Sequence, residues 1–282
     1  MELGLFLIIL SCNFSLLIAK KLYVLCSRKI STKHKKHTLM LLKIKRIFRK
    51  LQSFMAVMKG LAGVSFSQFG EDIIMQKMLE RYKVKNITYL DIGANYPILG
   101  SNTYNFYLRG YTGVLIEPNV VLYNKIKKVR PKDKCLNYGV GIDNQKEADY
   151  YMFAPENCGM NTFSAQEAQN YENEGVKIQK VVKLPLKDVN EVIAENFSES
   201  PTVISIDVEG LDELILNKID FDKYQPLLIC VETVNFNLNG ELTKRQSILD
   251  LLLSKGYFIY ADTHVNTIFC YRKRFNELIS TN

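Results

Sequence analysis

Ile87-Thr88-Tyr89-Leu90-Asp91-Ile92-Gly93-Ala94-Asn95 decides how the rest of the chain is read. An apolar run suited to a buried strand, broken only by Thr88, leads into an acid, a glycine and a small residue. A first parallel strand ends this way when it delivers a carboxylate and a flexible turn to the carboxyl edge of a sheet. Gly93 lets the backbone come close to a ligand there. The spacing is not Gly-x-Gly-x-x-Gly, and the acid precedes the glycine. A pyrophosphate would be repelled at that point, whereas a positively charged or hydroxylated ligand would not. A tight structural turn leaves a similar trace, so the segments around it must discriminate.

They repeat the design. Residues 111–117 form a second apolar strand ending in Glu117, and Pro118 stops it at once, which fixes the carboxylate at the sheet edge. An acid at the end of strand two stands where a nucleoside ribose presents its hydroxyls. Strand three, residues 134–138, runs into Gly139, Val140, Gly141, Ile142 and Asp143. Asp143 can accept from an adenine amino group or serve only as a turn residue. Residues 148–153 and 181–186 read as extended, and the polar segment 154–164 between them is a candidate pocket rim. Residues 202–210 form another strand, with Asp207 and Glu209 at its exit, and residues 226–232 repeat it with Glu232. Residues 257–262 and 266–271 are joined too tightly for anything but an antiparallel hairpin. Helical segments alternate with these strands. The expected fold is therefore α/β, a doubly wound, mostly parallel seven-stranded Rossmann-like sheet with a terminal antiparallel hairpin.

The formal net charge of +8 is unevenly placed. Residues 1–64 hold 13 Lys and Arg against one acid, and residues 65–282 hold 24 against 28 acids. A basic arm thus precedes a mildly acidic domain, and the domain is not a nucleic-acid binder by charge. Within the arm, residues 3–19 are apolar apart from Ser11, Asn13 and Ser15, at the lower limit for a membrane span. Ile44, Ile47, Phe48, Leu51, Met55, Met58 and Ala62 follow helical spacing between lysines and arginines, a pattern suited to an anionic membrane surface or to packing on the domain. Lysines after the first run place the large domain on the cytoplasmic side if that run spans. The expectation is a membrane-associated protein with its domain in the cytoplasm, a soluble cytoplasmic form being the alternative. The six cysteines show no metal-ligand spacing.

Taken in order, Ser67-Gln68-Phe69-Gly70-Glu71-Asp72, Asp91-Ile92-Gly93-Ala94-Asn95 with Pro97, Ser101-Asn102-Thr103, Ile116-Glu117-Pro118-Asn119, Ile206-Asp207-Val208-Glu209-Gly210, Ile229-Cys230-Val231-Glu232 and Asn266-Thr267-Ile268 resemble the FkbM-like family of class I S-adenosylmethionine-dependent methyltransferases. The resemblance covers roughly residues 65–272. It departs from the family's common pattern after Asn95, where Tyr96-Pro97 replaces a glycine. It implies O-methylation of a hydroxyl on a sugar, glycan or other small-molecule acceptor, with S-adenosyl-L-methionine as the only cofactor. It also implies donor contacts from Gln68, Asp91, Gly93, Asn95, Glu117, Pro118, Gly141 and Asp143. The methionyl end falls to Asp91, Gly93 and Asn95, the ribose to Glu117, and the adenine to Asp143 or the backbone at Gly141. Asp207, Glu209 and His264 are the candidate catalytic residues. Asp207 is favoured because a carboxylate can take the acceptor's hydroxyl proton. Asp207 and Glu232 could together hold a divalent ion, but no third ligand is evident. The competing functions are a membrane-anchored binding or scaffold protein without catalysis and a dinucleotide-dependent oxidoreductase. The missing phosphate-spaced glycine disfavours the latter.

Overall fold

Alternation along β1 (Thr88–Ile92) sends Leu90 and Ile92 to one face and Tyr89 and Asp91 to the other. Both faces must therefore be covered, and both are. The structure is a computed structural model that describes residues 44, 45, 47, 63–143, 145–236 and 242–281. The chain divides between Gly63 and Val64, and the sheet with its helices belongs to the second part.

Beside β1 lie β2 (Thr112–Ile116) and β3 (Lys134–Leu136) on one side. On the other are β7 (Val203–Ile206), β8 (Leu228–Glu232), β12 (Asn266–Tyr271) and β11 (Tyr257–Asp262). The seven strands run in the order β11-β12-β8-β7-β1-β2-β3. Pairing is parallel from β3 through β8, and β12 is antiparallel to both neighbours. This is the doubly wound sheet with a closing hairpin that the sequence led us to expect. One face packs on α1 (Glu71–Arg81), α2 (Tyr104–Leu108) and α3 (Val120–Val129) through Met75, Met78, Leu79, Phe106 and Ile126. The opposite face packs on α5 (Val189–Asn196), α6 (Asp212–Lys218) and α7 (Gln246–Ser254) through Val192, Ile193, Ile215, Leu216, Ile248 and Leu252. Asp188 caps α5, its carboxylate accepting from the Asn190 and Glu191 amides.

The two extended segments between β3 and α5 pair outside the main sheet. Residues after β3 leave the main sheet, and β4 (Gly139–Gly141), β6 (Lys180–Asp188) and β5 (Glu147–Met152) make a separate three-stranded sheet. Between β5 and β6 are inserted a 3-10 helix, Pro155–Met160, and α4 (Ala165–Asn173). A small hairpin of β9 (Val234–Phe236) and β10 (Leu242–Lys244) follows β8, and α8 (Arg272–Thr281) ends the chain. Helix α2 has Thr103 at its N-cap, and the Ser101 hydroxyl just before it accepts from the Thr103 and Tyr104 amides. At α1, Gly70 is the N-cap, and the Ser67 hydroxyl accepts from the Gly70 and Asp72 amides. Asp72 gathers the Ser65 and Ser67 hydroxyls and the Phe66 amide.

The membrane expectation needs correcting. Among the described residues no helix is long and apolar enough to cross a membrane. The longest of them, α1, has 11 residues, about 16 Å at 1.5 Å per residue, against a hydrocarbon core of about 30 Å. The apolar run 3–19 and nearly all of the helical stripe 44–62 lie outside the described residues.

Packing beneath β1 leaves little slack. A Cβ on Gly113 of β2 would stand 2.1 Å from the Tyr89 ring and 2.4 Å from its carbonyl oxygen. Gly113→Ala should therefore lower stability by about 1–3 kcal/mol through overpacking, read from the urea midpoint of the full chain.

Candidate active site

At the carboxyl ends of β1 and β7 two segments of backbone meet almost without clearance. Gly93 has φ +84, and a Cβ there would lie 1.9 Å from the Asp207 carbonyl oxygen. Both conditions demand glycine. The Asp207 amide donates to the Ile92 carbonyl at 3.0 Å, and the Gly93 and Ala94 amides donate to the Ile116 carbonyl. The turn after β1 is thereby fixed between the exits of β2 and β7. Asn95, at φ +49, takes the left-handed conformation that asparagine tolerates better than most residues. Its amide donates to Glu117 Oε2 at 2.8 Å, while Oε1 accepts from the Asn119 amide at 2.7 Å. Each oxygen of this carboxylate keeps a lone pair. Burial pushes Glu117 up to about 7, against the pull of the two amides.

Two adjoining cavities open at this edge. A narrow one of about 40 Å³ is bounded by Gly93, Glu117, Pro118, Val140, Tyr150 and Asn161. Asn161 Nδ2 is buried there without a hydrogen-bond partner, its Oδ1 being taken by the Phe153 amide. The larger cavity, about 1040 Å³, lies between the strand ends and the insert that carries α4. Asp207 and Glu209 line both cavities, as do Gly93 and Asn95. Seven carboxylates border the larger one (Asp91, Glu156, Glu167, Glu174, Asp207, Glu209 and Glu232), and Arg245 is the one cation among the described residues on its wall.

Crowding of acids sets their basicity. Asp207 is open to the cavity but walled by protein. Burial and the neighbouring Glu209, Glu232, Asp212 and Asp91 hold its carboxyl well above the usual range. Glu209, at φ +49, accepts from the Tyr171 hydroxyl at 2.5 Å through Oε2, and its carbonyl accepts from the Thr162 hydroxyl at 2.8 Å. Burial raises it to about 7, with the Asp212 and Glu167 charges adding to the rise and the Tyr171 bond opposing it. Glu232 is pushed up to about 8 by burial, then by Glu209 and Asp212. Asp212, fully buried, pairs with Arg245 at 3.5 Å.

Of the residues singled out from the sequence, Gln68, Asp91, Gly93, Asn95, Glu117, Pro118, Asp207 and Glu209 all border these cavities. Asp91 sits one residue inside β1, in register with Ser205 of β7 and only 5% exposed, so it is not at the lip of the sheet. Two expectations need correction. Asp143 is exposed and accepts from the Gln145 amide in a local turn, and Gly141 pairs with Asp188 in β4. Neither is among the residues lining the cavities, because the chain leaves the main sheet after β3. Gly139, Val140 and Asn161 stand on that wall instead. His264, at φ +78 in the hairpin turn, is also off both cavities. Its amide donates to Asp262 and its carbonyl accepts from Lys244. Among the described residues, no group of three or more His, Cys, Asp or Glu is arranged to hold a metal ion. The sequence reasoning missed Arg245, Tyr171 and Glu167. The i, i+3, i+4, i+7 spacing of Glu167, Asn170, Tyr171 and Glu174 could have shown a polar helical face.

An open parallel sheet with an acid-and-glycine turn after its first strand, a carboxylate after its second and a cavity at their carboxyl ends defines a Rossmann-like α/β protein. The chain belongs to the FkbM methyltransferase family, since the family model described as "Methyltransferase FkbM domain" matches residues 91–259. It is accordingly a methyltransferase that uses S-adenosyl-L-methionine as its methyl donor. No curated protein matches. Among solved structures, a TehB-like SAM-dependent methyltransferase from Corynebacterium glutamicum aligns at 9% identity, covering 81% of this chain and 97% of its own, with a TM-score of 0.36. Precorrin-6y C5,15-methyltransferase from Geobacter metallireducens aligns at 10% identity over 70% and 86%, with a TM-score of 0.35. At these scores the likenesses carry no argument, and the assignment rests on the family match. The residues present fit that donor. Carboxylates suit a sulfonium and an ammonium, Glu117 has lone pairs for hydroxyls, and the orphaned Asn161 amide can donate to a ring nitrogen.

Folded carboxyls raised above their unfolded values stabilise the fold below about pH 4.3, and that contribution is lost as pH rises through the folded values. For Glu209 and Glu232 these lie at about 7 and about 8. The ligand-free protein should therefore melt at a temperature lower by about 4 °C or more at pH 8.5 than at pH 5.5. Glu232→Gln should flatten that slope, measured by differential scanning calorimetry.

Proposed function

We propose that the protein transfers the donor's methyl group to a hydroxyl of a sugar, glycan or related small acceptor that is neutral or positively charged. The observation that carries this reading is Asp207, whose raised carboxyl stands where the narrow and the large cavities meet. When bound, the donor supplies a methyl carbon made electrophilic by a positive sulfur. Asp91 faces the donor's ammonium, Glu117 receives its ribose hydroxyls, and Asn161 with the Gly139 and Val140 backbone borders the adenine. Gln68, Gly93, Asn95 and Pro118 complete that side.

Asp207 takes the hydroxyl proton as the acceptor oxygen forms its bond to carbon. A carboxylate of raised pKa is a stronger base at neutral pH than an ordinary aspartate. Glu209, steadied by Tyr171, and Glu232 hold the acceptor's other hydroxyls. Helix α4 and its C-cap offer Glu167, Asn170, Tyr171 and Glu174 from the far wall. Seven carboxyls face one arginine among the described residues; those that stay ionised repel phosphorylated and carboxylated acceptors, and all of them favour polyols and amino sugars.

Asp207→Asn should bind S-adenosylhomocysteine within about threefold of wild type but lose at least about 100-fold in turnover. Labelled-methyl uptake on a panel of neutral glycosides, amino sugars and nucleotide sugars measures the turnover. Activity within twofold of wild type, or a preference for nucleotide sugars, overturns the reading. Glu117→Ala should weaken S-adenosylhomocysteine by roughly 1–3 kcal/mol in calorimetry. A chain that binds this ligand yet methylates none of the panel would point to the binding-protein alternative.

A further inference from the structure

Arg130, at the C-cap of α3, is 0% exposed and does not line either cavity, yet its guanidinium touches most of what stands behind the cavity wall. Nε donates to Asp133 Oδ2 at 2.8 Å and Nη1 to the Ser101 hydroxyl at 3.2 Å. Nη2 donates to the Thr103 hydroxyl at 3.0 Å and to the Tyr89 hydroxyl at 3.3 Å. The rings of Tyr89, Tyr104 and Tyr107 lie 5.5–5.9 Å from its central carbon. Tyr89 completes the Asp133 side by donating to both carboxylate oxygens.

A guanidinium has donors and no acceptor, so it dictates where each neighbouring hydroxyl must send its own proton. Thr103 receives from Arg130 and therefore donates onward, to Asp91 Oδ2 at 2.5 Å. Ser101 borders the large cavity, and its oxygen is already approached by three donors: Arg130 and the Thr103 and Tyr104 amides. No acceptor for its proton is seen among the described residues, so that proton is left for a ligand. One buried charge thus makes Ser101 a donor and keeps Asp91 an acceptor on the same stretch of wall. That pairing of one donor and one carboxylate matches the carboxylate and ammonium of an amino acid.

We propose that Arg130 is a positioning residue that sorts the two ends of the donor's methionyl zwitterion, acting through Ser101 and Thr103. The proposal rests on the reading of this cavity as the methyl-donor site. It predicts a defect confined to the amino-acid end of the ligand, which a merely structural role would not produce.

Two ligands separate these ends, since S-adenosylhomocysteine carries the amino-acid tail and 5′-methylthioadenosine lacks it. Calorimetry on the full chain should show Thr103→Val, which leaves the Arg130–Asp133 pair intact, weakening S-adenosylhomocysteine at least tenfold. The same variant should bind 5′-methylthioadenosine within twofold of wild type. Thr103→Ser should restore the first affinity to within threefold, and Arg130→Met should repeat the selective loss. Thr103→Val binding S-adenosylhomocysteine within twofold of wild type, or losing both ligands equally, overturns the proposal alone. A wild-type protein that binds neither ligand overturns the donor-site reading itself, and the proposal with it.

Discussion

The approach of Gly93 to the Asp207 carbonyl is the constraint on which the site depends. With no room for even a Cβ, the turn after β1 and the exit of β7 are held against one another by backbone alone. The amide of Asp207 bonds back to Ile92, and those of Gly93 and Ala94 reach across to Ile116. Three strand ends are thus tied before any side chain is considered. Asp91, Glu117 and Asp207 come from positions far apart in sequence, yet they face the same pair of adjoining cavities as a result. Rigid strands aim such groups better than loops do.

Gathering so many acids is unfavourable in the absence of a cation. Burial and mutual repulsion raise Asp207, Glu209 and Glu232, and the single Arg245 beside Asp212 offsets only part of the excess. The cluster behind β1 follows the opposite design. The side chains of Arg130 and Asp133 are both fully buried, Arg130 makes four hydrogen bonds, and both oxygens of Asp133 accept. Removing one partner of such a pair leaves a charge without compensation, which is far costlier than any surface pair would suggest. One region is saturated and the other is charged and open, and a cationic ligand adds to the stability of only the open one.

The strands were legible in the sequence because buried parallel strands are apolar runs, and five of them end in an acid or a turn at the same edge. That logic put Asp91, Glu117 and Asp207 at this edge, and all three line the cavities there. Asp143 and Gly141 were misplaced because the logic assumed that strand three continues the sheet. The chain instead turns away at Asn137, whose side-chain Nδ2 donates to the carbonyls of Glu117 and Pro118. His264 drew attention by residue type alone, and it is exposed in the hairpin turn and lines neither cavity. Arg130 was invisible for another reason. Its sequence neighbours Lys127, Lys128 and Lys132 are all exposed, and nothing local separates a buried arginine from that basic surface. Only the partners supplied by Tyr89, Ser101 and Thr103 distinguish it, and these are remote in the chain.

The insert between β5 and β6 does more than roof the cavity. Thr162 holds the Glu209 carbonyl, Tyr171 holds its carboxylate, and Glu167 lies so close over Gly210 that a Cβ there would meet its side chain at 2.3 Å. One half of the pocket, with Gly93, Asn95 and Glu117, is set by the ends of β1 and β2. The other half exists only when a segment from outside the sheet is clasped onto the turn after β7. Sequence drift in that segment can thus remodel what enters the pocket while the strand-end residues Gly93, Asn95 and Glu117 stay in place. The clasp restricts this freedom to residues other than the three that grip the turn, and Asn161, on the wall of the narrow cavity, removes a fourth. Diversity of clientele falls to the rest of the insert, and constancy of chemistry to the strand ends.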